Sequence, residues 1–136
     1  MILAVDFDGT IVEHEYPEIG KAVPGAAESL RMLSKLGVKI ILWTMRHGDG
    51  LDKATDYCAH NRIPIWAVNS NPEQESWTNS PKAYAICYVD DAAAGCPMRP
   101  SRKAGNRPMV DWDLVMPIVM PRLGITLEMI KELGNA

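Results

Sequence analysis

Basic excess is missing from this chain. Its formal net charge is −3, whereas a general nucleic-acid binder carries a surplus of lysine and arginine, so only a local basic patch is compatible with such a role. Cysteine is scarce as well. Cys58, Cys87 and Cys96 are odd in number and lack paired metal-ligand spacing, which supports neither a disulfide framework nor a zinc site; buried thiols in a reducing cytoplasm are the expectation. No run approaches the ~20 apolar residues of a membrane span, and no basic stretch precedes a leader-like apolar run. A soluble cytoplasmic protein with no membrane partner is predicted. Internal repeats and low-complexity tracts are also absent.

What is present suits one domain over residues 1 to 136, with a hydrophobic fraction of 47% that is ordinary for a globular chain and enough length for a real core. The chain opens on Ile2-Leu3-Ala4-Val5, apolar at every position and so read as a strand buried on both faces of a parallel sheet. It runs straight into Asp6-Phe7-Asp8-Gly9-Thr10. Ligands of such sheets bind beyond the carboxyl ends of the strands, which places Asp6 where a substrate would sit. Gly9 allows a sharp turn, and Thr10 ties that turn through its hydroxyl. Two carboxylates one residue apart repel unless a cation offsets them or one holds a proton. Mg²⁺ suits that need, because it takes oxygen ligands from one or two carboxylates and a substrate phosphate. The competing reading is a plain polar turn.

Further along, residues 11 to 24 read as a flap-like loop or small hairpin over this corner. His14 and Glu15 are taken as solvated loop residues there, with substrate contact as the alternative. Pro24 and Gly25 introduce a helix over residues 26 to 36, stopped by Gly37, and residues 38 to 43 form a second strand. This βαβ unit makes the two strands parallel. It ends in Thr44-Met45-Arg46, where Thr44 offers a hydroxyl to a phosphate oxygen and Arg46 a charged fork. Taken singly, they read as strand filler and a solvated charge. A glycine-bearing loop (47 to 51), a helix (52 to 61), a strand (63 to 68) with Pro64 near its start, and a polar loop (69 to 80) follow. The fourth strand, 85 to 89, is preceded by Lys82 and ends in Asp90-Asp91, a second acidic tip able to complete a cation cage with Asp6. Residues 92 to 109 form an irregular loop with Arg99, Arg102, Lys103 and Arg107, read as solvated, with an anion-holding surface as the alternative. Residues 110 to 120 carry Trp112, Leu114 and Val115, and residues 126 to 133 have a helical apolar pattern; both are expected to pack on the sheet.

The ordered set of Asp6-Phe7-Asp8-Gly9-Thr10, Thr44, Lys82 and Asp90-Asp91 resembles the haloacid dehalogenase-like hydrolase superfamily. All four of its short motifs occur in its order over residues 6 to 91, and the Asp-x-Asp-Gly-Thr form is the most specific. The resemblance implies a three-layer, doubly wound, mostly parallel α/β sheet. It implies Asp6 as the nucleophile on phosphorus, Asp8 as the acid and then the base, and Thr44 and Lys82 steadying the phosphoryl group, with Gly9, Thr10 and Arg46 as substrate contacts. Mg²⁺ would be held by Asp6, the Asp8 carbonyl, Asp90 and Asp91. Neither gap between motifs has room for a cap domain, so the chain resembles small capless phosphatases. An open site admits a small phosphorylated molecule or the phosphorylated end of a larger one, or is closed by a second subunit. The resemblance departs in one place: no fifth strand is evident after Asp91. A phosphotransferase of the same superfamily is the near alternative. The distant one is a non-enzymatic phospho-accepting receiver domain, whose lysine, however, follows rather than precedes the last acidic motif.

Overall fold

The structure is a computed structural model in which residues 1 to 135 are described. Four short strands form one parallel sheet: β1 (Ile2–Val5), β2 (Lys39–Leu42), β3 (Ala67–Val68) and β4 (Cys87–Val89), in the order β3-β2-β1-β4. β1 lies inside the sheet, and all four of its residues are buried, as their unbroken apolar run requires. Its register places Val5 opposite both Leu42 and Val89. The ladder continues one step further, with Asp6 N–H donating to Val89 O at 2.9 Å and Trp43 N–H to Val5 O at 2.8 Å. The residues that follow three strands therefore share one edge.

Side chains alternate across a strand, so the sheet has two distinct faces. Leu3, Val5, Ile40 and Leu42 belong to the larger core with apolar residues of α1 (Ala26–Lys35), α2 (Gly48–His60), α3 (Trp112–Arg122) and α4 (Leu127–Gly134). Ile2, Ala4 and Ile41 face the other way and meet Ala83 and Ala85, flanked by Trp43, Trp66 and Tyr88. No helix residue belongs to that smaller cluster among the described residues. The chain is thus a Rossmann-like α/β fold whose helices gather on one face, while an extended segment takes the place of the helix layer expected on the second. That segment is fastened by buried Gln74. Its amide donates to Ser80 O (3.2 Å) and Lys82 O (3.0 Å), and its carbonyl accepts from Tyr84 N–H (2.7 Å). Gln74 sits in a 3-10 turn, Pro72–Ser76, where a featureless loop was expected; Asn71 caps it by accepting from Glu73 N–H at 2.9 Å.

Connections running from β1 through β2 to β3 wind one way, and the return to β4 on the far side of β1 reverses them. The β1/β4 boundary is therefore the switch point at which such sheets bind ligands.

Some boundaries differ from the sequence expectation. The third strand is cut from six residues to Ala67–Val68, because Pro64 has no N–H to give and the ladder is joined only at Trp66, whose N–H reaches Ile40 O at 2.8 Å. α2 starts earlier than expected, taking in the glycine-bearing loop as its first turn. Residues 92 to 109 contribute no fifth strand to the main sheet. They supply β5 (Met98–Arg99), which pairs antiparallel with β6 (Met109–Val110) as a separate two-stranded ribbon. No helix among the described residues is long and apolar enough to cross a membrane.

Candidate active site

Beyond Val5 the chain leaves the sheet through a turn with no room for side chains. Gly9 has φ +84°, and a Cβ there would stand 2.2 Å from His14 Nε2 and 2.6 Å from Asp91 Oδ2. Thr10 is wholly buried. Its hydroxyl donates to Asp6 Oδ2 at 3.0 Å and accepts from Asp91 N–H at 3.3 Å, linking the tips of β1 and β4. From behind, Val110 N–H donates to Gly9 O (2.9 Å) and the Trp112 indole to Thr10 O (2.8 Å). The start of α3 thus props the turn from the core side.

Register brings the carboxylates together. Asp6, Asp90 and Asp91 each offer an oxygen, all within 4.8 Å of one another. Burial, then the hydrogen bond with Asp91 and the charges of Asp90 and Asp91, push Asp6 up to about 8 against the opposing bond from Thr10. Asp90 is raised by burial and by Asp91, partly offset by the N–H of Ala92. Burial also works to raise Asp91, but the hydrogen bonds from Asp6 and His14 outweigh it and bring it below the usual carboxylate range. Three acids this close resist ionising together without a counter-charge. The all-oxygen donor set suits a hard divalent cation such as Mg²⁺.

Asp8 points elsewhere. Arg46 grips it with a two-pronged ion pair, Nε to Oδ2 and an Nη to Oδ1, both at 2.8 Å. The remaining N–H groups go to Pro17 O (3.1 Å), Gly50 O (3.3 Å) and Glu18 O (2.8 Å). All five donors are committed, the side chain is 1% exposed, and the bonds to Asp8 push its already high pKa up further against burial. The reading of Arg46 as a solvated charge is therefore corrected. An arginine four residues past a buried strand reaches back into the turn rather than out to solvent.

Thr44 follows β2 at the same edge. Asn69, in a left-handed conformation just past β3, clamps its backbone by accepting from Thr44 N–H (2.7 Å) and donating to Thr44 O (2.9 Å). The Thr44 hydroxyl accepts from Arg46 N–H at 3.1 Å, which leaves its own proton free to donate. Lys82 is exposed, with Nζ 5.6 Å from the centre of the Tyr88 ring. Among the described residues no carboxylate lies within ion-pair distance of it, so the structure does not bring Lys82 against the acidic cluster.

The flap is a short hairpin, with Glu13 N–H bonded to Lys21 O (2.8 Å) and Val23 N–H to Ile11 O (2.9 Å). One flap residue expected to be solvated is not. His14 is 14% exposed and meets Asp91 Oδ2 through Nε2 at 2.7 Å. Glu13, which the sequence did not single out, is buried beneath Ser101 and Arg102; the Ser101 hydroxyl bonds to it, and Arg102 bridges to it at 3.0 Å. Those bonds hold Glu13 below the usual glutamate range in spite of burial. Lys103 pairs with Glu15 (2.8 Å), Asn106 donates to His14 O (3.0 Å), and Arg107 stands 3.6 Å from Asp91 Oδ2. Two of the loop's four basic residues, Arg102 and Lys103, therefore strap the flap down. A hint was present in the sequence, where Glu13 directly follows two apolar residues, Ile11 and Val12; in the structure Gly20 faces Glu13 O so closely that a Cβ there would lie 2.0 Å from it.

No family model and no curated protein matches the chain. Among solved structures, a conserved protein from Bacteroides thetaiotaomicron is similar, with 35% identity over 96% of each chain and a TM-score of 0.69.

Proposed function

We propose that this chain, which belongs to one family with the conserved protein of Bacteroides thetaiotaomicron, is a Mg²⁺-dependent phosphomonoester phosphatase of the haloacid dehalogenase-like kind. The observation that carries this reading is the meeting of Asp6, Asp90 and Asp91 within 4.8 Å at the β1/β4 switch point. Ordinary turns leave acids apart in solvent, whereas these three are drawn together by strand register and by Thr10.

In the proposed reaction a carboxylate oxygen of Asp6 attacks phosphorus as the ester P–O bond breaks, giving an aspartyl-phosphate. Asp8 passes a proton to the departing oxygen. It then takes one from the water that cleaves the acyl-phosphate, so that one carboxyl alternates between acid and base. The free hydroxyl proton of Thr44 donates to a phosphoryl oxygen. Lys82 joins it by leaving the Tyr88 ring, and Asp6, the Asp8 carbonyl, Asp90 and Asp91 would hold Mg²⁺, which would supply neutralisation of phosphate charge. The site is capless in this reading: the strapped flap of residues 11 to 24 walls one side and leaves the carboxylate corner open to a phosphate on a small or a large partner.

The test is release of inorganic phosphate from a panel of phosphomonoesters, including sugar phosphates, nucleotides and 3′-phosphorylated oligonucleotides, with Mg²⁺ and with EDTA. Release that depends on Mg²⁺ is expected. Absence of release from every member, with a stable acyl-phosphate on Asp6, would favour the receiver reading.

A further inference from the structure

The guanidinium of Arg46 is the most completely engaged polar group near the candidate site. It lies between two aromatic rings, its Cζ 5.2 Å from the centre of Phe7 and 5.1 Å from that of Tyr16. In its plane it holds both oxygens of Asp8, the flap carbonyls of Pro17 and Glu18, and the Gly50 carbonyl in α2. Three pieces of chain with no direct reason to move together, the turn after β1, the flap and the first turn of α2, meet on one side chain.

We infer that Arg46 is a positioning residue: it sets the direction of the Asp8 carboxyl and locks the flap to that direction, and it does not bind the phosphate. This inference rests on the phosphatase reading, because it concerns the proton that Asp8 delivers.

A planar fork fixes both the place and the plane of a carboxylate, which a lysine ammonium cannot do. Each Asp8 oxygen accepts one N–H from Arg46 and keeps a further lone-pair position, at which the carboxyl carries the proton it gives to the leaving oxygen and, once ionised, takes one from a water. With all five donors committed inside a side chain that is 1% exposed, capture of a phosphate by Arg46 would break bonds it already makes to Asp8 and to three backbone carbonyls. The ring of Tyr16 is 63% exposed and covers the outer face of the guanidinium, so the flap also shields the pair from water, which would weaken it.

The step at issue is transfer of the Asp8 proton to the ester oxygen as the P–O bond breaks. That transfer matters most for an alkyl phosphate, whose alkoxide leaves poorly, and least for p-nitrophenyl phosphate, whose phenolate leaves unaided. A misdirected Asp8 therefore has a signature that general loosening does not share. Arg46→Lys and Arg46→Ala should lower kcat/KM, which reports formation of the acyl-phosphate and not the later hydrolysis that both substrates share, at least about tenfold more for glycerol phosphate than for p-nitrophenyl phosphate, a part of the ~10²–10⁴ that general acid catalysis contributes. Inhibition by inorganic phosphate should change little, since no phosphate contact is lost. Methylguanidinium added to Arg46→Ala should restore part of the glycerol phosphate rate. Introduced into Asp8→Ala, Arg46→Lys should leave the ratio of the two rates as it finds it, because the partner is already gone. Circular dichroism selects the variants that fold, and the lysine variant serves if the alanine variant does not.

Equal loss of kcat/KM on both substrates in a folded variant, or weakened inhibition by inorganic phosphate, would overturn the positioning role and restore Arg46 to phosphate binding or to scaffolding. Absence of Mg²⁺-dependent release by the unaltered protein would instead defeat the phosphatase reading itself, so the two failures are told apart.

Discussion

At the residue scale, Gly9 is the tightest constraint. A side chain there meets a positive φ and two groups of the acidic corner, His14 and Asp91, at less than 3 Å. Gly9→Ala should cost at least about 1–3 kcal/mol of stability for the backbone alone, lower the melting temperature, and push His14 away from Asp91; an unchanged melting temperature would speak against the close packing described. Glu13 gives a pH prediction with a definite sign. Its pKa is depressed in the fold, so its contribution to stability is complete above the ordinary glutamate range, about 4.3, and is lost as pH falls through the lowered value. Denaturant melts of the unaltered protein and of Glu13→Gln should differ at neutral pH, and the gap should close in acid below about pH 4. A gap independent of pH would mean that the Ser101 and Arg102 bonds do not select the charged form. For the acidic cluster, Mg²⁺ should raise the melting temperature of the unaltered protein by mass action and raise it much less in Asp90→Asn.

Elements hold these residues in place, and they differ in how visibly the sequence announced them. The run Ile2 to Val5 could be read at once, because unbroken apolar character leaves little but a doubly buried strand, and the acids after it and after β4 fell at one edge through register alone. α1 was legible from its apolar spacing and its Gly37 stop. Less legible were features decided by distant partners. Arg46 has the look of any charge after a strand, and only the flap and α2 folding over it make it buried. The basic loop read as solvated because its partners Glu13 and Glu15 lie some 90 residues earlier. Lys82 fitted an ordered motif, yet the extended segment carrying it places its ammonium over Tyr88. The prop behind the turn was likewise silent, since Trp112 reads as core until its indole finds Thr10 O. Trp112→Phe keeps the apolar packing but leaves that buried carbonyl without a donor, and should cost about 1–3 kcal/mol. Thermal melts check it, and phosphate release should fall with them because Thr10 also holds Asp6.

At the scale of the whole molecule, the architecture explains why the chemistry sits where it does. All four helices contribute to the core on one face of the sheet, the second face is covered by residues held through Gln74, and the winding reverses between β1 and β4. The carboxylates stand at that reversal, buried enough to perturb one another and open enough to meet a phosphate. The flap and the ribbon of β5 and β6 then act as one wall, joined through Glu13, His14 and Glu15. The account turns on Asp6 as the atom donor to phosphorus. The direct measurement is acid quenching during Mg²⁺-supported turnover of p-nitrophenyl phosphate, followed by peptide mass spectrometry. A phosphoryl group on the peptide carrying Asp6, accumulating in Asp8→Ala and lost together with turnover in a folded Asp6→Asn, is the predicted result. Turnover retained by Asp6→Asn, or a phosphoryl group on another residue, would contradict it.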